Sequence, residues 1–305
     1  MKQQSSPASG REIMTALFAR RSAVALCCCV LTLMLAFYGI ISGVLRMVPF
    51  FEDGFYAFIY FTMISNTLAA LAMAFVLPSA VEGVRMKRFI VPPWVAVMHH
   101  LAATSIAIVT VFVLTFASWS YPELAFGGSG VVNHICSPIL ILIAFFCTEN
   151  GYIYTLRDKA FGSVPFWTYG VVYFIEVVLV GEQNGGWPDI YHVVEYFHPA
   201  VALPMLFVYG FLVSCAVASL SNWFTRRRRK AMYACWTDGL DPVEVKTEAY
   251  GLGRMTGRTG EKNSIRVPLD ILETLAEKYN LEPDDLLRPF MTGMKVGIRE
   301  REPED

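Results

Sequence analysis

Long apolar runs alternate with short polar segments along most of this chain. Six runs approach or exceed the roughly 20 residues that a helix needs to cross a bilayer, the fifth being the shortest. They cover approximately residues 23–45, 55–78, 93–117, 130–148, 166–181 and 199–224. The pattern predicts an all-α, polytopic membrane protein in which residues 23–225 form a bundle of six transmembrane helices.

Composition supports a membrane protein. Of the 305 residues, 55% are hydrophobic and 17% are charged, whereas soluble domains average roughly 25% charged residues. The net charge of -1 gives no indication of a nucleic-acid partner, and we predict none. The seven cysteines fit neither a disulfide framework nor a zinc pattern, so we predict no metal and no cofactor.

The distribution of Lys and Arg predicts the orientation of the bundle. Basic residues lie before the first run, between the second and third, between the fourth and fifth, and after the sixth, where Arg226–Lys230 is a continuous basic run. The alternate connections hold one basic residue, Arg46, among several acidic ones. Because cytoplasmic loops are enriched in basic residues, both termini are predicted to lie on the cytoplasmic side, with residues 1–22 as the N-terminal segment. The membrane is predicted to be the plasma membrane.

The segment 226–305 has the composition of a polar cytoplasmic tail. Residues 231–264 are polar and contain several glycines, which suggests a loosely ordered linker. Beyond it, apolar residues at helical spacing such as Leu272, Leu275 and Ala276 predict short amphipathic helices near 268–291. These helices could contact the membrane domain, a second copy of the chain or another protein.

Three of the apolar runs contain polar residues that could take part in a chemical reaction. In the second run Thr62, Ser65 and Asn66 stand at i, i+3 and i+4, so they share one helix face and should point into the bundle. The fourth run opens with Asn133 and His134, and Pro138 follows. Hydrogen bonding between helices is the structural explanation for such residues.

The fifth run contains Glu176, a carboxylate inside an apolar stretch. A buried acid in a bilayer is costly and therefore suggests a functional site. A protonated acid that bonds to a neighbouring helix is the structural alternative. With both termini cytoplasmic, Thr62, His134 and Glu176 lie about 10, 5 and 8 Å from the outer face, counted at the helical rise. Their agreement in depth allows the three side chains to converge.

A hydroxyl, an imidazole and amides at one depth suggest acyl-transfer chemistry. A neutral His134 can take the proton from the Thr62 hydroxyl and raise its nucleophilicity toward an acyl carbon. Asn66 or Asn133 could donate to the developing oxyanion, and Ser65 and Glu176 are further supporting candidates. The sequence alone does not distinguish this arrangement from hydrogen bonds that merely join helices.

The connection between the fifth and sixth runs contains an H-x-x-E-x-x-H arrangement. It consists of His192, Glu195 and His198. On a helix the three would lie roughly on one side, which makes a metal site conceivable, but the spacing is not that of the HExxH zinc motif. A solvated interfacial loop explains the arrangement without a metal.

The motifs YFTMISN at 60–66 and NHICSP at 133–138, with six spans, resemble the androgen-induced family of six-span membrane proteins and its predicted bacterial branch. Eukaryotic members are described as threonine hydrolases that cleave fatty acid esters of hydroxy fatty acids. The resemblance implies Thr62 as the nucleophile and His134 as its base. The spacings from Thr62 to Asn66 and from His134 to Pro138 follow the bacterial form, and Glu176 matches no position of the family pattern.

Three classes of function are compatible with these residues. The first is an intramembrane hydrolase of lipid or other hydrophobic esters, with membrane lipids as its surroundings and a lipid ester as its substrate. The second is a transporter or lipid-binding protein whose polar residues line a cavity in the outer half of the bilayer. A third interpretation is a haem or metal redox protein that uses His134 with His192 or His198.

Overall fold

A computed structural model of the protein describes residues 10–51, 54–86, 91–117, 122, 126–148, 152–196, 198–236, 241–259 and 269–299. Over these residues all regular structure is helical, as the all-α prediction requires. The chain divides into two compact units. One is Leu17–Thr225, and the other is Arg226–Asp305 together with Met1–Ala16.

Eleven α-helices are numbered here in chain order, and the three-residue α-helical segment Ser129–Val131 is left unnumbered. They are α1 (Gly10–Phe51), α2 (Phe61–Met86), α3 (Pro93–Phe112), α4 (Ser137–Thr148), α5 (Leu156–Gly162), α6 (Val164–Phe174), α7 (Val193–Tyr196), α8 (Pro199–Trp236), α9 (Pro242–Thr259), α10 (Leu269–Lys278) and α11 (Pro283–Arg299). Wider π-helical turns extend α3 over Val113–Ala117, precede α4 over Val132–Cys136 and extend α6 over Ile175–Val180.

Several of these helices are long and apolar enough to cross a membrane. Within the described residues four qualify by length and composition, namely Ser22–Leu45, Phe61–Arg85, Pro93–Thr115 and Ala200–Arg228. The pair Leu156–Gly162 and Val164–Val180, bent by 40°, would make a fifth if it is one span. Val132–Phe146 is a shorter apolar helix. The protein is therefore an all-helical membrane protein, and the count of six spans stays a prediction.

Small residues fill the core between α1, α2, α3 and α4. Its buried members include Ala25, Ala69, Ala72, Ala102 and Ala144. Small side chains let helix backbones approach closely. Such close packing favours helix association in a membrane, where lipid is as apolar as the protein. These four helices therefore share a core of small, buried side chains.

His100 joins three helices in the buried interior. The Ser214 hydroxyl of α8 donates to the carbonyl oxygen of Lys159 in α5 and lies 3.2 Å from His100 Nε2. Because that hydroxyl proton is already used, Nε2–H is the donor to Ser214, and Nδ1 can accept from Thr104, whose hydroxyl lies 3.4 Å away. The histidine is fully buried and acts as a structural link between α3, α5 and α8.

The second unit contains a helical cluster of its own. Val245 and Ala249 of α9 pack with Leu272 of α10 and with Leu286 and Phe290 of α11. Helix α9 begins at a capping box, in which the Asp241 carboxylate accepts from the backbone N–H of Glu244 and the Glu244 carboxylate accepts from that of Asp241. The prediction of a loose linker over 231–264 is therefore wrong over residues 231–236, which end α8, and over Pro242–Thr259, which forms α9. The three glycines of α9 concealed apolar residues that pack against α11.

Two glycines let α9 and α11 cross at backbone contact. A Cβ on Gly253 would overlap the carbonyl oxygen of Phe290, and one on Gly293 would overlap that of Tyr250. A Cβ on Gly251, two residues earlier in α9, would meet no atom within 4 Å. The two positions of α9 therefore differ in packing while sharing a helical backbone.

This difference predicts opposite effects of the same substitution. Gly253→Ala should destabilise the α9–α11 pair by about 1–3 kcal/mol through overpacking, whereas Gly251→Ala should stabilise it by up to about 1 kcal/mol through helix propensity. Amide hydrogen exchange over 241–299 in the full-length protein measures both. Equal exchange in the two variants would contradict the close crossing.

Candidate functional site

The structure brings Thr62 and His134 together from separate helical segments. Thr62 lies in the first turn of α2, and His134 lies in the π-helical segment Val132–Cys136 that leads into α4. The distance from Thr62 Oγ1 to His134 Nε2 is 3.4 Å, and both residues are half-buried. This is the pair that was expected from the agreement in depth, and its catalytic role stays a prediction.

Pro138 explains why His134 lies on a widened turn. Proline has no N–H group and its ring crowds the carbonyl four residues earlier, which here belongs to His134. The helix has π-type bonding here, in which the backbone N–H of Ser137 donates to Val132 O and not to Asn133 O. The carbonyl oxygen of Asn133 is thereby left for another donor.

Asn66 supplies that donor and also binds the backbone of Thr62. Its side-chain amide donates to Thr62 O at 2.9 Å and to Asn133 O at 3.4 Å, and Ser65 Oγ donates to Thr62 O at 2.9 Å. Asn66 and Ser65 are both fully buried. The amide therefore connects the segment that carries Thr62 with the one that carries His134.

These bonds bear on the predicted oxyanion donors. An asparagine side chain has two N–H donors, and the amide nitrogen of Asn66 already serves two backbone carbonyls. Donation to an oxyanion would require Asn66 to give up one of these bonds, so that role stays a prediction. Over the described residues the side-chain oxygens of Asn66 and Asn133 are buried without a hydrogen bond.

Asn133 also fixes how closely α1 approaches the site. The residue is 5% exposed, and a Cβ built on Gly39 of α1 would overlap its side-chain oxygen. Glycine at position 39 is thus required for this packing. Helix α1 therefore supports the amide next to His134.

Glu176 lies apart from the hydrogen bonds that join these residues. It is half-buried in the π-helical segment Ile175–Val180, and the backbone N–H of Gly181 donates to its carbonyl oxygen at 3.0 Å. The bonds between Thr62, His134, Asn66 and Asn133 do not include its carboxylate. A role for Glu176 in the same chemistry remains a prediction.

A cavity of about 110 Å³ lies beside Thr62, which forms part of its wall. Three phenylalanines, Phe61, Phe112 and Phe166, line it together with aliphatic residues that include Ile108 and Leu206. Four tyrosines complete the aromatic wall, namely Tyr169, Tyr173, Tyr191 and Tyr209. The lining residues include no charged side chain, so the cavity suits an apolar group.

The tyrosine hydroxyls are engaged with the protein. Tyr169 donates to Ile59 O at 2.7 Å, Tyr173 to the Asp189 carboxylate at 2.6 Å, and Tyr209 to Ile108 O at 3.2 Å. The hydroxyl oxygen of Tyr191 accepts from the backbone N–H of Phe61 at 2.9 Å. The rings therefore contribute apolar surface to the cavity while their polar ends are satisfied.

The loop that follows α6 forms one side of the cavity. The Asp189 carboxylate accepts from Tyr173 and from the backbone N–H of Val193, which fixes the turn that presents Tyr191. Desolvation raises the pKa of Tyr191 to about 12, so its hydroxyl is neutral at physiological pH. By binding Phe61 N, Tyr191 also satisfies a backbone donor at the start of the helix that carries Thr62.

These aromatic and acidic residues were not among the candidates predicted from the sequence. The signal available was the i, i+4 spacing of Tyr169 and Tyr173 on one face of α6, and the short D-I-Y sequence at 189–191. Aromatic residues are common in membrane spans, however, so the spacing alone does not identify a cavity.

The H-x-x-E-x-x-H residues do not form a three-ligand cluster. His192 Nδ1 and the Glu195 carboxylate pair at 2.7 Å on the surface, while His198 Nδ1 accepts from the backbone N–H of Ala200 at 3.3 Å. Within the described part of the chain, no group of three His, Cys, Asp or Glu residues is arranged to hold a metal ion. The solvated-loop interpretation accounts for these contacts.

The bridging role of Asn66 predicts a larger effect than that of its neighbour. Asn66→Ala leaves Asn133 O buried without this donor and should lower the free energy of unfolding by about 1–2 kcal/mol. Ser65→Ala removes one bond within α2 and serves as the control, with a smaller loss. Denaturant unfolding of the detergent-solubilised protein compares them. Equal losses would contradict the bridge.

Comparison with known proteins leaves the site to be interpreted from its own geometry. No protein-family model, curated protein or solved structure matches the chain. The close approach of Thr62 to His134 and the apolar cavity at Thr62 are therefore the observations from which a function has to be argued.

Proposed function

We propose that the protein is an intramembrane ester hydrolase in which Thr62 is the nucleophile and His134 its general base. The observation that carries this proposal is the 3.4 Å separation of Thr62 Oγ1 and His134 Nε2. A hydroxyl within reach of an imidazole is the arrangement that activates a weak nucleophile. Such contacts are often long without substrate and shorten in the reacting complex.

The reaction runs through an acyl-threonine intermediate. Thr62 Oγ attacks the ester carbonyl carbon while its proton passes to His134 Nε2, and the alcohol leaves with that proton when the ester C–O bond breaks. Water then attacks the acyl carbon, gives a proton to His134, and releases the carboxylic acid as the proton returns to Thr62. His134 must therefore start neutral, with Nε2 as an acceptor.

The surroundings of the pair support an apolar substrate. The cavity at Thr62 has aromatic and aliphatic walls without a charged lining residue, and the helices that carry the pair are apolar. We place the pair in the outer half of a six-span bundle in the plasma membrane, with both termini and the tail cytoplasmic, as the distribution of basic residues indicates. A lipid or other hydrophobic ester would reach Thr62 from the bilayer.

The same cavity gives less support to a transporter. Transported solutes are usually bound by polar or charged groups near the midplane of the membrane, and the lining residues of this cavity are apolar apart from Thr62 and tyrosines with engaged hydroxyls. Binding of an apolar lipid without turnover is the alternative that remains closest to this geometry.

The proposal predicts that both members of the pair are required for turnover. His134→Ala should lower kcat by about 10²–10⁴-fold, and Thr62→Ala should lower it at least as much, because the acyl intermediate is lost. Thr62→Ser should retain activity. Hydrolysis of p-nitrophenyl butyrate and labelling by a fluorophosphonate probe, both with purified protein, measure these effects.

Thr67→Ala is the matched control for these variants. Thr67 lies one turn further along α2, and its hydroxyl donates to Met63 O at 2.8 Å. Its loss should leave hydrolysis and labelling unchanged. Undiminished turnover in Thr62→Ala, at a stability equal to that of the wild type, would exclude Thr62 as the nucleophile.

The proposed orientation is testable by reporter insertion. A phosphatase domain that is active only outside the cytoplasm should be active when inserted at the exposed turn at Gly185 and inactive when fused to the C terminus. A green fluorescent protein at the same two positions should give the reverse pattern. Phosphatase activity of the C-terminal fusion would overturn the orientation.

A further inference from the structure

We infer that the aromatic cavity is an acyl-group pocket that selects esters with a short, uncharged acyl chain of up to about six carbons. This inference rests on the proposed hydrolase and adds the class of its substrate. Thr62 is the lining residue whose side chain approaches the imidazole. An ester carbonyl that reaches Thr62 therefore has this cavity beside it, and the acyl chain is the part we assign to it.

The volume of the cavity limits the length of acyl chain that it can enclose. A cavity of about 150 Å³ with aliphatic and aromatic walls accommodates a benzene ring, and the cavity at Thr62 measures about 110 Å³. A group of roughly four to six carbon atoms is the largest that fits on this scale. Because the cavity is only partly enclosed, a longer chain either extends out of the opening without further contact or displaces the aromatic wall, which includes Tyr191, bonded to Phe61 N.

The chemistry of the wall excludes a charged chain. The tyrosines turn their rings to the cavity while their hydroxyls bond to backbone atoms or to Asp189. An ionised carboxylate at the end of an acyl chain would lose its hydration without gaining a partner, which is strongly unfavourable. A monoester of a dicarboxylic acid should therefore be a poor substrate compared with the uncharged ester of equal length.

Two residues of the wall provide a test of the chain length. Gly170 of α6 lines the cavity, and a Cβ built there would lie 3.6 Å from Leu206 Cδ1, so a larger side chain at 170 would grow into the cavity. Leu206 of α8 lines it from the other helix. Enlarging position 170 should shorten the preferred chain, and truncating Leu206 should lengthen it.

The experiment uses the full-length protein in detergent and p-nitrophenyl esters from acetate to palmitate, which share one leaving group. In the wild type, kcat/KM should rise by up to about fourfold per methylene to an optimum at or below six carbons and then fall. Gly170→Leu should move the optimum to a shorter chain and Leu206→Ala to a longer one. Leu212→Ala, on the same helix but 60% exposed, is the matched control.

A second measurement separates the pocket from the chemistry. Methyl ketones of graded length carry a carbonyl but no ester bond, and calorimetry measures their binding to Thr62→Ala, with and without Gly170→Leu. Affinity should peak at the same chain length as hydrolysis, and Gly170→Leu should weaken the longest ligand that binds by tenfold or more.

The outcomes distinguish the two proposals. A preference for palmitate in the wild type, or an optimum that neither Gly170→Leu nor Leu206→Ala moves, would overturn the acyl pocket while leaving the hydrolase in place. Ketone binding that follows chain length in a protein that hydrolyses no ester would overturn the hydrolase and confirm a size-limited apolar cavity. Agreement of the two length profiles would support both.

Discussion

The missing N–H of Pro138 is the constraint on which the candidate site depends. Inside a membrane each backbone carbonyl needs a donor from the protein, because lipid supplies none. Proline removes one, the helix widens, and Ser137 donates to Val132 O in place of Asn133 O. The carbonyl of Asn133 then accepts from Asn66 of α2. A local defect in one helix is thereby satisfied by a polar residue of another, in the same segment that places His134 3.4 Å from Thr62.

The sequence predicted contacts between residues where the bilayer limits how helices can be arranged. Thr62 and His134 could be associated because helices that cross one membrane place residues of equal depth at one level, and the structure has them in contact. The bonds of Asn66 could not be foreseen, since they depend on how far the turn at Pro138 widens. Glu176 lies at a similar predicted depth but outside those bonds, because depth does not define rotation about the helix axis.

The cavity and the helix α9 show a second limit of sequence reasoning. Aromatic residues on α6 and in the following loop look alike whether they face lipid or a cavity, and only the packing of Tyr191 against α2 decides between the two. The glycines of α9 favour an irregular linker when considered alone. Gly253 is tolerated because the backbone of α11 lies against it, while Gly251 meets no neighbouring atom. In both cases the deciding partner is distant in sequence.

Gly39 extends the candidate site to a helix without reactive groups. Its hydrogen lies against the side chain of Asn133 where any larger substituent would collide, and Asn133 directly precedes His134. A methyl group at position 39 would thus displace the side-chain amide of Asn133, the residue next to His134. A helix that carries no reactive group thus contributes to the candidate site through the space that it leaves for a neighbouring side chain.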